Sequence, residues 1–96
     1  MSAYIIIRVN VTDMEQYREY TKHTPPAIEK YGGRFIVRGG DVVTLEGPIE
    51  KNRIVVIEFD SVEKAQAFYN SPEYQAAIQV RKDAAEASFI VVPGVS

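Results

Sequence analysis

Arg53-Ile54-Val55-Val56-Ile57-Glu58-Phe59 is the stretch on which the fold turns. It has strand length, no glycine or proline, and a run of β-branched residues. Alternation puts Ile54, Val56 and Glu58 on one face and Val55, Ile57 and Phe59 on the other. A sheet with one wet face shows apolar residues alternating with polar ones. Here both faces are mainly apolar, so the strand is expected inside a sheet covered on both sides. Glu58 is a lone carboxylate among apolar neighbours and requires a partner.

Working outward, Gly47-Pro48 breaks the chain before this strand, and the polar Glu50-Lys51-Asn52 leads into it. Val42 to Leu45 is expected to be β-structure, after a Gly39-Gly40-Asp41 turn. Arg34 to Arg38 reads as another strand, preceded by Gly32-Gly33, with Gly32 as a left-handed helix cap. Tyr4 to Val11 alternates with period two: Ile5, Ile7, Val9 and Val11 on one face, Tyr4, Ile6, Arg8 and Asn10 on the other. Asp13 with Gln16, or Thr12 with Glu15, carries helix-start chemistry. The helix that follows places Met14, Tyr17, Tyr20 and Thr21 near one stripe. Pro25-Pro26 is expected to interrupt it, with Pro26 opening a new short turn through Ile28 and Tyr31.

Beyond the deciding strand, Ser61 caps a helix with Val62, Ala65, Phe68 and Tyr69 inward. Ser71-Pro72-Glu73 restarts the helix, which is expected to run to about Ala85. Ser88 to Val92 is a last strand, stopped by Pro93-Gly94. The order β-α-β-β-α-β predicts an α+β ferredoxin-like fold over residues 1–96 as one domain. It is a four-stranded antiparallel sheet with helices on one face. The helices leave the second sheet face bare, yet Ile6, Ile54, Val56 and one side of the last strand are apolar. A patch of that size marks an interaction surface, so a homodimer joined sheet to sheet is expected.

Composition narrows the partners. Hydrophobic residues at 46% and charged residues at 25% are globular proportions and argue against disorder. The net charge of −2, without a basic block, disfavours nucleic acid. No apolar run is long enough to cross a bilayer. Met1-Ser2-Ala3-Tyr4 leads straight into a strand without a basic region or cleavage site, and cysteine is absent. A cytoplasmic protein is the expectation.

Arg38, Glu58 and Arg81 are the first candidates for chemistry. Arg81 belongs to the helical stripe Tyr74, Ala77, Ile78, Arg81, Ala85 and should point inward. Arg38 ends the strand expected beside that of Glu58. Two readings apply. In one, an arginine binds a carboxylate or enolate while Glu58 moves a proton. In the other, the three close the core edge as an ion-pair group. Tyr17 and Tyr20 from the first helix, with Tyr69 and Tyr74 from the second helical region, are candidates to line a ligand pocket and offer hydroxyls, Tyr17 and Tyr69 foremost, or else are amphipathic core residues. His23, the only histidine, has no second ligand residue spaced to help it, and no metal or cofactor site is expected. The paired glycines lack a phosphate-loop pattern.

Arg38-Gly39-Gly40, Leu45-Glu46-Gly47, Val56-Ile57-Glu58-Phe59 and Phe68-Tyr69-Asn70-Ser71-Pro72-Glu73-Tyr74, followed by Arg81, occur in this order. Together they resemble the family called domain of unknown function 1330, over nearly the whole chain. The resemblance implies a dimeric α+β barrel of two ferredoxin-like protomers. That superfamily also holds cofactor-free monooxygenases, muconolactone isomerases, haem-dependent peroxidases and proteins without assigned activity, so it implies fold and pairing more than reaction. Three functions are consistent with the chain: a dimer binding a small organic metabolite between sheet and helices, a cofactor-independent monooxygenase or isomerase, and a structural or regulatory dimer without ligand.

Overall fold

The computed structural model describes residues 2–95. Strand β1 (Ala3–Val11) is followed by helix α1 (Met14–Lys30) and strands β2 (Arg34–Arg38) and β3 (Arg53–Phe59). Helices α2 (Val62–Tyr69) and α3 (Pro72–Arg81) then lead to strand β4 (Ala85–Pro93). The strands form one antiparallel sheet in the order β2-β3-β1-β4, the ferredoxin-like arrangement. The deciding stretch is β3, an interior strand between β2 and β1.

Alternation sorts the two faces of the sheet. Ile5, Ile7 and Val9 of β1 and Val55, Ile57 and Phe59 of β3 are buried against Tyr17, Tyr20, Phe68 and Tyr74 of the helices. On the other face the register aligns Val37, Val56, Ile6 and Ile90, one from each strand. None of these four is buried, and Ile90 is 57% exposed. An apolar row therefore crosses the whole open face.

Local chemistry accounts for the helix ends. The Asp13 carboxylate accepts from the Gln16 N–H at 3.1 Å, which selects Asp13 over Thr12 as the cap of α1. Ser61 and Ser71 cap α2 and α3 in the same way, accepting from the N–H groups of Lys64 and Tyr74. Gly32, with φ of +80°, takes the left-handed conformation that ends α1.

Three expectations are corrected. Helix α1 runs through Pro25 and Pro26 without a break. Pro25 cannot donate to the Thr21 carbonyl, but the Thr24 hydroxyl donates to it at 3.4 Å and replaces part of that bond. Val42 to Leu45 is not a strand but part of a loop spanning residues 39–52, and Leu45 is 94% exposed. The strand does not continue into it: β2 ends at Arg38, and Gly39 and Gly40 both take positive φ. This loop is held instead by Glu50, which takes a two-pronged contact from Arg8 and whose N–H donates to the Thr44 hydroxyl. Finally, α3 stops at Arg81 rather than near Ala85, because Ala84 and Ala85 are already drawn toward the sheet. The Ala84 carbonyl accepts from the N–H groups of Thr12 and Asp13, and Ala85 pairs with Val11.

Candidate functional site

A cavity of about 40 Å³ lies between the sheet and the helices. Its floor is Ile7, Val9, Val55 and Ile57 from the inner sheet face, and α1 and α3 contribute Tyr17, Tyr20, Tyr74 and Arg81. The exposed Arg38 and Arg53 stand at its outer rim. No aspartate, glutamate or histidine is among the described residues that line it.

Arg38 reaches this cavity because of a β-bulge. Arg34 pairs with Glu58 and Phe35 with Ile57, but Val37 rather than Ile36 pairs with Val56, and Arg38 then pairs with Val55. The extra residue, Ile36, reverses the alternation after it. In a regular ladder Arg38 would share a face with Arg34 and point away from the helices. The bulge turns it inward, where its guanidinium lies 4.3 Å from the centre of the Phe35 ring. Arg53 comes from the start of β3, on the face of Val55 and Ile57, and donates to the Arg38 carbonyl at 3.3 Å. Gly39 leaves room for it: φ is +81°, and a Cβ there would collide with the Arg53 guanidinium.

Arg81 is 8% exposed and lies deep in the cavity. Its guanidinium is 5.0 Å from the centre of the Phe89 ring and 5.5 Å from that of Tyr20, in cation–π range. The buried Nε–H has no hydrogen-bond partner, and no ion pair among the described residues includes Arg81. A buried guanidinium without a carboxylate is costly, which sets this residue apart from an ordinary core group.

Beside it, the Tyr20 and Tyr74 hydroxyls share a hydrogen bond of 2.6 Å. Burial pushes the Tyr20 phenol up to about 12. Burial also raises Tyr74, reinforced by the neighbouring Tyr20. Both stay protonated near neutral pH. Two hydroxyl hydrogens serve one mutual bond, so one hydrogen is left to offer elsewhere.

The expected group Arg38–Glu58–Arg81 is not assembled. Glu58 lies on the open face with Ile54 and Val56, and its partner is Arg34, directly across on β2, at 2.6 Å. The Arg34 guanidinium, assisted by the Ser2 and Tyr4 hydroxyls, holds the Glu58 carboxyl below its usual range. Arg38, Arg81 and Tyr17 do meet around one cavity. Tyr69 does not join them: it borders a separate groove beside Ile90 and Gln66, and its ring packs 5.5 Å from that of Tyr74. Tyr20 and Tyr74, expected among the pocket tyrosines, do line the cavity, whereas Arg53 is a site residue that the residue types did not single out. Period-two alternation from Val55 back to Arg53 was the available signal for it. His23 is exposed.

A family model described as domain of unknown function DUF1330 matches residues 2–95. The chain belongs to this family. Among curated proteins none matches. Solved structures place this DUF1330 protein among ferredoxin-like folds. A protein of unknown function from Rhodopseudomonas palustris is 20% identical, with a TM-score of 0.77 over 99% of this chain and 83% of that one. SnoaB, a cofactor-independent oxygenase from Streptomyces nogalater, is 7% identical, with a TM-score of 0.69 over 99% of this chain and 94% of that one. A dimeric protein of unknown function and ferredoxin-like fold from Bacteroides fragilis is 17% identical, with a TM-score of 0.57 over 97% and 96%. Identities this low carry the fold alone. Among the described residues of the DUF1330 chain, no helix is long and apolar enough to cross a membrane.

Proposed function

We propose that this protein is a homodimer, joined through the open sheet faces, in which each protomer binds a small organic metabolite between sheet and helices. One observation carries the binding reading: Arg81 is buried in a cavity, its Nε–H has no hydrogen-bond partner, and it forms no ion pair among the described residues. Structural arginines are normally satisfied by the protein itself, as Arg8 is by Glu50 and Arg34 by Glu58. The apolar row Val37–Val56–Ile6–Ile90 supports the dimer, and so does the description of the Bacteroides fragilis neighbour as dimeric.

Binding is favoured over turnover. Isomerase or oxygenase chemistry on a carbon acid needs a base. Among the described residues the cavity offers no carboxylate or imidazole, and its two hydrogen-bonded phenols are held protonated. A thermal-shift screen against a metabolite library tests the reading. Hits are expected with the native chain and lost with Ala87→Phe, which fills the cavity from β4 while circular dichroism stays unchanged. A library without hits, or hits that survive Ala87→Phe, would overturn it.

A further inference from the structure

The chemistry of the cavity wall identifies the class of ligand, and we infer that it is a carboxylate, seated with its acid group against Arg81. This inference rests on the cavity being a binding site and adds which functional group it takes.

Charge is the first argument. Arg38, Arg53 and Arg81 line one cavity, and none of them forms an ion pair among the described residues. No acidic side chain among the described residues lines it. Three guanidiniums facing a small space repel one another, and an anion relieves that repulsion. The chain as a whole carries −2, so this local excess of positive charge runs against the balance of the molecule.

Hydrogen bonding is the second. The deep end of the cavity offers the unpartnered Nε–H of Arg81 and the spare hydroxyl hydrogen of the Tyr20–Tyr74 pair. The Thr21 and Thr24 hydroxyls give their hydrogens to carbonyl oxygens of α1. A ligand head group that only accepts suits the two spare donors. A carboxylate has two acceptor oxygens and matches a guanidinium fork.

Size is the third. One water-sized group occupies roughly 10–15 Å³. The cavity of about 40 Å³ therefore accommodates about three such groups, the two oxygens and the carbon of a carboxylate. The remainder of the ligand extends toward the rim, between Arg38 and Arg53, past the Phe35 and Phe89 rings.

Matched acids and neutral amides separate this inference from the reading beneath it. Propionate and phenylacetate are titrated against propionamide and phenylacetamide by calorimetry, with the ring resonances of Tyr20 and Tyr74 followed by NMR. The acids are expected to bind at least about tenfold more tightly than their amides, as for a charge-assisted pair, and to shift both rings. Arg81→Met should erase the preference and leave the melting temperature unchanged or higher, since it removes an unpaired buried charge. Arg81→Lys should keep part of the preference. Arg53→Gln, at the exposed rim, should weaken the acids in a fully folded protein. Equal binding of acids and amides overturns the carboxylate and leaves the binding site standing. Absence of binding by all four at millimolar concentration, with hits elsewhere in a neutral library, also overturns the carboxylate alone. No binding by any compound overturns both. An Arg81→Met variant that melts lower yet still prefers acids marks Arg81 as a structural residue and refutes the inference.

Discussion

Tyr74 is 1% exposed, and its hydroxyl has Tyr20 as hydrogen-bond partner. Replacing it with phenylalanine leaves the Tyr20 hydroxyl without that partner in a site with little access to water. Tyr74→Phe is expected to cost about 1–3 kcal/mol in urea denaturation. The double variant Tyr20→Phe/Tyr74→Phe should be less destabilised than the two single losses added together, because neither hydroxyl is then stranded. The same pair sets the alkaline limit of stability. Tyr20 is held at about 12 in the native protein and at about 10 in an unfolded chain. The native state thus binds that proton more tightly, and its contribution is complete below about pH 10. It disappears as pH rises from there through about 12, on the order of 2 kcal/mol. A tyrosinate ultraviolet titration should show Tyr20 and Tyr74 ionising only together with loss of structure. Ionisation of all six tyrosines before unfolding would contradict the burial argument.

Helix α1 and strand β2 each depend on an irregularity. Pro25 and Pro26 lie inside α1, where neither provides the N–H a helix requires. The turn persists because Tyr17, Tyr20, Ala27 and Ile28 bury the same face on both sides of the prolines. Tertiary packing outweighs local propensity here. Pro26→Ala should therefore raise stability by about 1–3 kcal/mol, the helix gain being reduced by a freer unfolded chain. Chemical denaturation measures this, and a loss of stability would show that Pro26 is required where it stands. In β2 the extra residue Ile36 decides which way Arg38 points. The loop 39–52 leaves β2 at the bulged end and is anchored by Glu50 to Arg8 and Thr44. Glu50→Gln should accelerate protease cleavage within residues 39–52 while the melting temperature changes little, because both partners are near the surface. Unchanged cleavage would mean that other contacts hold the loop.

For the whole molecule, the open face decides whether 96 residues suffice. A domain of this size buries only a modest share of its surface, and the row Val37–Val56–Ile6–Ile90 is left uncovered by its own helices. Ile6→Lys, at the centre of that row, is expected to convert a dimer into a monomer in sedimentation velocity at micromolar concentration, with little change in helix content. A native chain that sediments as a monomer would refute the proposed pairing. Much of this architecture was legible from residue order. Strand β3 was readable residue for residue, because period-two alternation and side-chain branching are local properties. The caps Asp13, Ser61 and Ser71 and the left-handed Gly32 were readable for the same reason: each acts within three or four residues of itself. The site was less legible. Arg81 could be placed on an inward helical stripe, but its lack of a partner depends on every element packed around it. Arg38 and Glu58 look alike as strand-borne charges, yet a one-residue bulge sends Arg38 to the cavity, and alternation sends Glu58 to Arg34 on the other face. Sequence alone determined the order of the four strands and the helices between them and the two apolar faces of the sheet, since these follow from short-range periodicity. It did not determine the course of α1 through its prolines or the loop at residues 42–45. Only the tertiary structure decided which charges meet, because register and bulges are set by pairing between strands distant in the chain.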